Sequence, residues 1–370
     1  MGFRDGLLGA QFELNRKSAV FVLTFNDALD ERILRELAPR QPGATNMAPL
    51  TDTYLPPAPA GAPTDWASLS LVEDKEVEAQ ISAERFGLEV SRIAAREGMN
   101  IVMADVQADA LEQAAGEIGA LGAAVLPYRL DVSKAEQVAA LAAATFARFG
   151  APHFVFNNAG VGGGGLIWEN TLQDWEWVLG VNLMGVVHGV RSFVPMMLEA
   201  AKRDTGYEGH VINTASMAGL VNPPNMGVYN VSKHAVVSLT ETLYQDLKLV
   251  SDQVSASVLC PYFVPTGISQ SHRNRPADMA DQKPTQSQMI GQAMSDKAVG
   301  SGKVTAAQVA QMVFDSIQAD QFYIFSHPQA LGNVSDRMNA IVEHRNPPDP
   351  FAERPEIGVG LRAALRAGAA

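Results

Sequence analysis

Hydrophobic positions follow two different periods along most of this chain. Between residue 86 and about residue 330, short apolar runs alternate with longer stretches in which apolar residues recur every three or four positions. Runs of the first kind predict strands buried on both faces, and stretches of the second kind predict amphipathic helices. The predicted strands are 100–104, 123–128, 153–158, 210–216, 254–260 and 322–325.

The alternation of strands and helices predicts an α/β fold with a doubly wound, Rossmann-like parallel sheet. In such a fold, ligands bind outside the carboxyl ends of the strands. We expect one large domain at 73–330, an irregular extension at 1–72, and a carboxy-terminal helix and tail at 331–370. The extension contains a linker at 41–65, which holds six of the chain's 21 prolines and has no apolar period.

Local signals also predict where one helix of the domain begins and ends. Ser133 and Glu136 have the spacing of a capping box, which predicts the start of the helix. Gly150 predicts its end, because a residue without a side chain suits a helix stop. We expect this helix to pack on the sheet through Val138, Leu141 and Phe146.

Composition narrows the possible partners and the compartment. The chain has 370 residues, 47% of them hydrophobic, and a net charge of -12, which argues against a nucleic-acid partner. Cys260 is the only cysteine, which excludes an intramolecular disulfide and a cysteine-rich metal site and favours a reducing, cytoplasmic compartment. Apolar runs stay short of the roughly 18 residues that a membrane span needs, and no metal site is expected.

Tyr229 and Lys233 are the first candidates for chemistry. They are four residues apart in a stretch with a helical period, so both side chains lie on one helix face. A tyrosine has a pKa of about 10, and proton transfer near neutrality would need that pKa lowered by about 3 units, to which a nearby ammonium group contributes. Ser216 follows the predicted strand 210–216, where its hydroxyl can hydrogen bond the same substrate oxygen.

Five short motifs occur in one order along the chain, and together they resemble the short-chain dehydrogenase/reductase family. They are NNAG at 157–160, Val181-Asn182, Ser216, Tyr229-x-x-x-Lys233 and CPYFVPT at 260–266. The resemblance implies that Tyr229 is the general acid/base and that Lys233 lowers its pKa and holds the ribose of a nicotinamide cofactor. It also implies that Ser216 orients the substrate oxygen and that Asn182, on a helix, holds the water of a proton relay.

The same resemblance implies the cofactor contacts. Asp105 ends a predicted strand, where a carboxylate binds a ribose 2'-hydroxyl and repels a 2'-phosphate, so NAD is favoured over NADP. The other implied contacts are Asp131 and Val132 near the adenine, Asn158, Ala159 and Gly160 along the adenosine side, and Pro261, Val264 and Thr266 around the nicotinamide, with Tyr229 and Lys233 on the ribose.

One part of the family pattern is missing. The family begins its fold with a strand and a turn of the form TGxxxGxG, whose backbone amides hold the pyrophosphate. Gly87 falls at the third glycine position, but the first two positions would be Ile81 and Arg85. Two segments compete for the first strand: 19–25, which is β-leaning, and 76–82, which is charged and helix-leaning.

Two hypotheses for function follow from these observations. The first is an oxidoreductase that transfers a hydride between NAD and an alcohol or ketone, with Tyr229 as the acid/base. The alternative is a protein of the same fold that has lost dinucleotide binding and serves as a binding or scaffold module, which would account for the missing glycines. The resemblance further implies a substrate lid at 266–303, an apolar small-molecule substrate, and a homodimer or homotetramer, and we expect the glycine run 162–165 to form a mobile loop beside the substrate.

Overall fold

The protein forms a seven-stranded, parallel, doubly wound sheet. The computed structural model describes residues 18–22, 86–279 and 283–367. Within these residues the strand order is β3-β2-β1-β4-β5-β6-β7, and every neighbouring pair is parallel. The strands are β1 (Ser18–Val22), β2 (Asn100–Asp105), β3 (Val125–Arg129), β4 (Phe154–Asn157), β5 (Gly209–Thr214), β6 (Val254–Cys260) and β7 (Tyr323–Phe325).

The first strand comes from the early apolar run. Strand β1 pairs with both β2 and β4, and Ala19 lies opposite Ile101 on one side and Phe154 on the other. The domain boundary expected at residue 73 is therefore wrong, because the middle of the sheet contains residues 18–22. The competing segment 76–82 lies outside the described residues.

Helices cover both faces of the sheet. The described helices are α1 (Phe86–Arg96), α2 (Ala108–Gly119), α3 (Ala135–Phe149), α4 (Leu172–Leu179), α5 (Gly185–Arg203), α6 (Gly227–Val250), α7 (Gln286–Gly300), α8 (Ala306–Gln318), α9 (Gly332–Val342) and α10 (Pro355–Ala367). One core cluster contains Val90, Ile118 and Val313 from α1, α2 and α8. The other contains Leu141 and Phe193 from α3 and α5, together with residues of α6. The predicted doubly wound architecture is thus confirmed.

Helix α3 corrects two local expectations. Lys134 occupies the N-cap position without a side-chain cap, and the backbone N–H of Ser133 donates instead to Asp131 Oδ1 at 2.9 Å, so the capping box is not formed. Gly150 does end the helix, with φ 80°. Val138 and Leu141 are buried, but Phe146 is 52% exposed, because Thr145 takes the sheet-facing position one turn after Leu141.

The carboxy-terminal region contains two helices where the sequence predicted one. Helix α9 ends at Val342, and α10 begins at Pro355. Pro347, Pro348 and Pro350 lie between them and cannot continue a helix, because proline lacks the backbone donor and clashes with the preceding turn.

Among the described residues, one helix is long and apolar enough to cross a membrane. Residues 172–203 form a continuous helical unit, since α4 and α5 are joined by a π-helical turn at Gly180–Met184. Phe193 and Met197 of this unit are fully buried in the core of the domain. Burial of this kind is also ordinary for the core helix of a globular domain.

Candidate active site

A cavity of about 100 Å³ lies beyond the carboxyl ends of β4, β5 and β6. This is the edge of a doubly wound sheet at which ligands bind. Among the residues that line it, eight are candidates from the sequence: Asn158, Gly160, Ser216, Tyr229, Lys233, Pro261, Val264 and Thr266.

Ser216 lies two residues beyond the end of β5, in extended backbone. Its hydroxyl accepts a hydrogen bond from the backbone N–H of Ala218 at 3.1 Å and so caps the short 3-10 turn Met217–Gly219. The same hydroxyl lies 3.4 Å from the carbonyl oxygen of Pro261 and is hydrogen bonded to the side chain of Tyr229. The serine is thereby held against both the tyrosine and the loop that follows β6.

Lys233 is buried one helical turn after Tyr229 on α6. Its Nζ donates to the carbonyl oxygen of Thr214 at 2.9 Å and lies 5.7 Å from the centroid of the Tyr229 ring. Gly219 permits this arrangement, since a Cβ there would lie 2.6 Å from the backbone oxygen of Lys233. A glycine in the 3-10 turn thus lets α6 approach the end of β5 closely.

Burial dominates the protonation of this pair. Removal from water raises the pKa of Tyr229, and the hydrogen bond from Ser216 opposes that rise without cancelling it. Burial also lowers the pKa of Lys233 to about 8. The direction for Tyr229 is opposite to the lowering implied by the resemblance, because burial of the phenol outweighs the hydrogen bond from Ser216.

Asn182 lies in the π-helical turn and does not line the cavity. Its Oδ1 accepts from the backbone N–H of Val161 at 2.7 Å, and its Nδ2 donates to the carbonyl of Val161 and to Ser232 Oγ, both at 3.0 Å. The side chain therefore fixes the backbone directly after Gly160. π-Helical turns are frequent at functional sites, but the relay role of Asn182 stays a prediction.

Three further candidates lie at the carboxyl ends of strands other than those that border the cavity. Asp105 is buried at the end of β2, and its Oδ1 accepts from the backbone N–H of Gln107 at 2.7 Å. Asp131 accepts from Ser133, and Val132 is buried with its carbonyl oxygen 2.9 Å from Nδ1 of His188. They surround the ends of β2 and β3, away from the cavity.

The last two candidates flank the cavity without lining it. Gly87 is in the first turn of α1, where its carbonyl accepts from the Ser91 hydroxyl at 2.7 Å. Ala159 is buried between the lining residues Asn158 and Gly160.

Seven further lining residues were not named individually from the sequence: Phe86, Thr214, Ala215, Tyr262, Gly267, Ile268 and Val299. Of these, Tyr262 lies in the motif at 260–266, and Gly267, Ile268 and Val299 lie in the predicted lid at 266–303. Most of them adjoin residues that were identified, so proximity in sequence could have indicated them.

Comparison with known proteins decides the family. The sequence profile described as short chain dehydrogenase matches residues 82–277. A dehydrogenase/reductase of CLA biosynthesis from Lactiplantibacillus plantarum is 32% identical over 70% of this chain and 91% of its own length. The chain belongs to the short chain dehydrogenase family. The matched region contains Ser216, Tyr229 and Lys233, whereas β1 precedes it.

Two other similar proteins add detail. The 1-deoxy-11-beta-hydroxypentalenate dehydrogenase of Streptomyces exfoliatus is 34% identical over 74% of this chain and 90% of its own length. The crystal structure of a short chain dehydrogenase/reductase from Burkholderia phymatum in complex with NAD has a TM-score of 0.69 and 48% identity. That comparison covers 72% of this chain and 94% of the Burkholderia chain.

The described residues fit the nicotinamide half of the dinucleotide that this family uses. A Cβ on Gly160 would lie 3.4 Å from Lys233 Nζ and 3.5 Å from Asn182 Oδ1, so the bare backbone leaves space that a side chain would fill. Pro261 and Val264 add apolar surface to the same cavity. At the phosphate position the described chain offers Gly87, and the two preceding glycine positions, 81 and 85, lie outside the described residues.

The glycine run 162–165 packs against neighbouring segments, and its expected mobility stays a prediction. The backbone N–H of Gly162 donates to Ser271 Oγ at 2.7 Å. A Cβ on Gly164 would lie 3.3 Å from the Cα of Gly291, and a Cβ on Gly165 would lie 2.7 Å from Gln288 Cγ. The run therefore packs against the described part of the segment predicted to be a lid, residues 266–279 and 283–303, which we call the lid.

Asp174 connects this lid to α4. Arg275 Nη1 donates to Asp174 Oδ1 at 2.5 Å, and Gln288 Nε2 donates to Asp174 Oδ2 at 3.2 Å. The Arg275 guanidinium also lies 5.4 Å from the centre of the Trp177 ring. Burial raises the pKa of the Asp174 carboxyl, but the hydrogen bonds from Thr171 and Arg275 outweigh that effect, and its pKa lies below its ordinary value.

Proposed function

We propose that this protein is an oxidoreductase that transfers a hydride between NAD and an alcohol or ketone. The observation that supports this proposal most strongly is the convergence of Ser216, Tyr229 and Lys233 on one cavity at the carboxyl edge of the sheet. A hydroxyl, a phenol and an ammonium group together supply what a carbonyl reduction requires: a donor to the oxygen, a proton, and control of the local charge.

Tyr229 would act as the proton donor and acceptor. In the direction of reduction, the phenol gives its proton to the substrate oxygen as the C–H bond forms at the carbonyl carbon. In the direction of oxidation, the phenolate takes the hydroxyl proton, which then passes to solvent. With substrate bound, Ser216 would turn its one hydroxyl proton from Tyr229 to the substrate oxygen and stabilise the charge that develops there.

Lys233 would hold the cofactor's ribose while it keeps its contact with Thr214. A bound nicotinamide supplies or accepts the hydride at its C4. Val264 and Pro261 would exclude water from the face on which that ring lies, and Gly160 would leave space for the ribose. Asn182 would fix the loop that carries Gly160, as its three hydrogen bonds indicate.

NAD is the cofactor that we propose, for two reasons. Asp105 lies at the end of β2, where a carboxylate favours a ribose 2'-hydroxyl over a 2'-phosphate. The Burkholderia phymatum relative, at 48% identity, was solved in complex with NAD.

The cavity lining supports an apolar substrate. Ile268 and Val299 of the lid and Phe86 of α1 bring apolar side chains to the cavity. The Streptomyces exfoliatus relative is named for dehydrogenation of a hydroxypentalenate. We therefore propose an alcohol or ketone with apolar bulk.

We also propose a homodimer or homotetramer built on the outer face of α6. Val231, Leu249 and Val250 on this helix are exposed apolar residues. Light scattering coupled to size-exclusion chromatography tests the proposal, and a monomer at micromolar concentration would contradict it.

Two experiments distinguish the oxidoreductase from a scaffold that has lost dinucleotide binding. NADH added at millimolar concentration should raise the melting temperature and quench tryptophan fluorescence, because a ligand that binds only the folded state stabilises it. Tyr229→Phe should keep this binding and lose at least 100-fold in turnover, roughly the contribution of a positioned acid/base. A protein whose melting temperature and fluorescence do not change with NADH would support the scaffold function. Turnover that persists in Tyr229→Phe would contradict the assignment of Tyr229 as the acid/base.

A further inference from the structure

Tyr262 presents a large aromatic ring beside the proposed reaction centre. It lines the cavity together with Ser216 and Tyr229. The preceding carbonyl, that of Pro261, accepts a hydrogen bond from the backbone N–H of Met217 at 2.9 Å and lies 3.4 Å from Ser216 Oγ. Tyr262 therefore directly follows the carbonyl that contacts the hydroxyl that would hold the substrate oxygen.

The position of this ring is fixed by its neighbours. The backbone N–H of Tyr262 donates to Ser326 Oγ at 2.9 Å, and the ring centroids of Tyr262 and Phe263 lie 4.2 Å apart. The His327 ring meets Tyr262 edge-on at 5.7 Å. Three rings thus form one aromatic wall, which we call the Tyr262 wall and define as Tyr262, Phe263 and His327.

The backbone beneath the Tyr262 wall has little freedom to move. A Cβ on Gly302 would lie 2.6 Å from the carbonyl oxygen of Phe263 and 2.8 Å from Pro265 Cδ. The end of the lid therefore packs directly on the loop that carries Tyr262. A wall that is already in place binds a flat group without the cost of ordering a loop.

Part of the Tyr262 side chain remains free for a ligand. Tyr262 is 41% exposed although it packs against two other rings. Burial raises the pKa of its hydroxyl, so the ring is neutral at physiological pH.

Among the described residues that line the cavity, Lys233 alone has a formal charge, and its Nζ is bonded to Thr214. The lining thus offers a charged substrate no free counter-ion and offers a flat one an aromatic surface.

We propose that Tyr262 is a specificity-determining residue that selects substrates whose carbonyl or carbinol carbon is attached directly to an aromatic or other planar unsaturated ring. The proposal deepens the proposed function and rests on it. The ring would stack on the substrate's planar group while Ser216 and Tyr229 hold its oxygen, since offset and edge-to-face ring pairs are favourable.

The test compares acetophenone with cyclohexyl methyl ketone, which differ chiefly in whether the ring is aromatic. With NADH as reductant, the wild-type protein should show the higher kcat/KM for acetophenone. Tyr262→Leu should lower the acetophenone to cyclohexyl ketone ratio of kcat/KM by about 2- to 10-fold, the range expected for loss of one aromatic pair. Tyr262→Phe keeps the ring and should keep the ratio within about 2-fold of wild type.

Tyr323→Leu is the matched control, because Tyr323 is similarly exposed at 38% and lies on the edge strand β7. It should leave the ratio unchanged. Should Tyr262→Leu fail to fold, Tyr262→Met provides the same loss of the aromatic ring with a more adaptable side chain.

Three results would overturn the proposal. An unchanged ratio in a folded Tyr262→Leu would show that the ring does not select the substrate. An equal loss in Tyr262→Phe would assign the effect to the hydroxyl. A wild-type protein that binds NADH and reduces neither ketone would contradict the substrate class alone, whereas a protein that does not bind NADH would contradict the proposed function and this proposal with it.

Discussion

Asp174 and Gln288 hold equivalent places at the start of two different helices, and their side chains are hydrogen bonded to each other at 3.2 Å. Each is the third residue of its helix and completes a capping box, Asp174 with Thr171 on α4 and Gln288 with Thr285 on α7. The motif that begins the lid helix is therefore joined to the motif that begins α4. Arg275 completes the contact by its ion pair with Asp174.

The ion pair predicts how lid attachment depends on pH. The pKa of Asp174 is lower in the folded protein than in the unfolded chain, so the charged carboxylate stabilises the fold above pH about 4. That stabilisation should be lost as the pH falls below about 4 and through the folded-state pKa. Asp174→Asn should lower the free energy of unfolding by about 1 to 3 kcal/mol at pH 7, and the difference from wild type should shrink between pH 4 and pH 2.

Thermal unfolding measured from pH 2 to pH 7 checks this prediction. Arg345→Met is a suitable control, because it removes an ion pair with Glu343 whose side chains are 53% and 57% exposed. Pairs exposed to this degree contribute little, so the control should stay close to wild type at every pH. A difference between wild type and Asp174→Asn that does not change with pH would contradict the assignment.

The glycine run predicts that added side chains will disturb the lid. Gly165 has φ 105°, and a Cβ there would lie 2.7 Å from Gln288 Cγ and 3.1 Å from Asn170 Nδ2. Gly165→Ala should therefore lower the free energy of unfolding by about 1 to 3 kcal/mol and should raise KM more than it changes kcat. Denaturant unfolding and steady-state kinetics measure these effects.

Gly116→Ala provides the matched comparison. Gly116 lies within α2, and a Cβ there would have no neighbour within 4 Å. Alanine is the better helix former, so this variant should gain up to about 1 kcal/mol. If Gly165→Ala behaves like Gly116→Ala, the lid does not depend on the glycine run.

Signals that lie within one segment were readable from the sequence, whereas contacts between distant segments were not. The spacing of Tyr229 and Lys233 places both on one face of a helix. The apolar composition of 19–25 made this segment one of two candidates for the first strand, and the sheet pairing decided between them. The capping residues Thr171 and Thr285 are also local, but nothing in the sequence indicates that the helices they begin will touch. Phe146 failed as a core residue because Thr145, a polar residue, takes the buried position and bonds Leu141 within the helix.

Burial of Lys233 predicts that its replacement by methionine lowers activity and raises stability relative to wild type near neutral pH. Burial lowers the pKa of Lys233 to about 8, so its charged form destabilises the folded state at neutral pH. Because the pKa is lower in the folded protein, the free energy of unfolding should rise as the pH increases from about 8 to 10.5. Lys233→Met should lose turnover, and its melting temperature relative to wild type should be highest at pH 7 and should decrease towards pH 10.5.

Melting curves of the two proteins at matched pH values between 7 and 10.5 test this prediction. Lys202→Met is the control, because Lys202 is 74% exposed on α5. A relative melting temperature of Lys233→Met that stays constant over this range would show that Lys233 does not titrate near pH 8.

The hydrogen bond between Ser216 and Tyr229 predicts a shift in the pH profile of alcohol oxidation. Oxidation needs the phenolate, so its rate should rise with pH. The bond from Ser216 lowers the pKa of Tyr229, and its loss in Ser216→Ala should move the rise to higher pH. The maximal rate should also fall by about 100- to 1,000-fold, as for removal of one donor to a developing oxyanion.

Ser335→Ala is the control, because Ser335 is an exposed serine of α9. It should change neither the pH profile nor the maximal rate. An unshifted profile in Ser216→Ala would contradict the proposed contact.

Asp105 predicts the choice between NAD and NADP. Its Oδ1 accepts from the backbone N–H of Gln107, and asparagine can keep that bond while it removes the negative charge. Arg129 Nε donates to the carbonyl of Val106 at 3.2 Å, so a guanidinium lies beside the residue that follows Asp105.

In Asp105→Asn, the ratio of the NADP Kd to the NAD Kd should fall about 10-fold or more, because a charge-assisted hydrogen bond to the ribose and the repulsion of a 2'-phosphate are both lost. Titration of tryptophan fluorescence with both dinucleotides measures the ratio, and Asp109→Asn, which changes an exposed carboxylate at the start of α2, should leave it unchanged. An unaltered ratio in Asp105→Asn would mean that the ribose lies elsewhere, whereas a ratio that falls and is then restored by Arg129→Ala would show that Arg129 binds the 2'-phosphate once the carboxylate is removed.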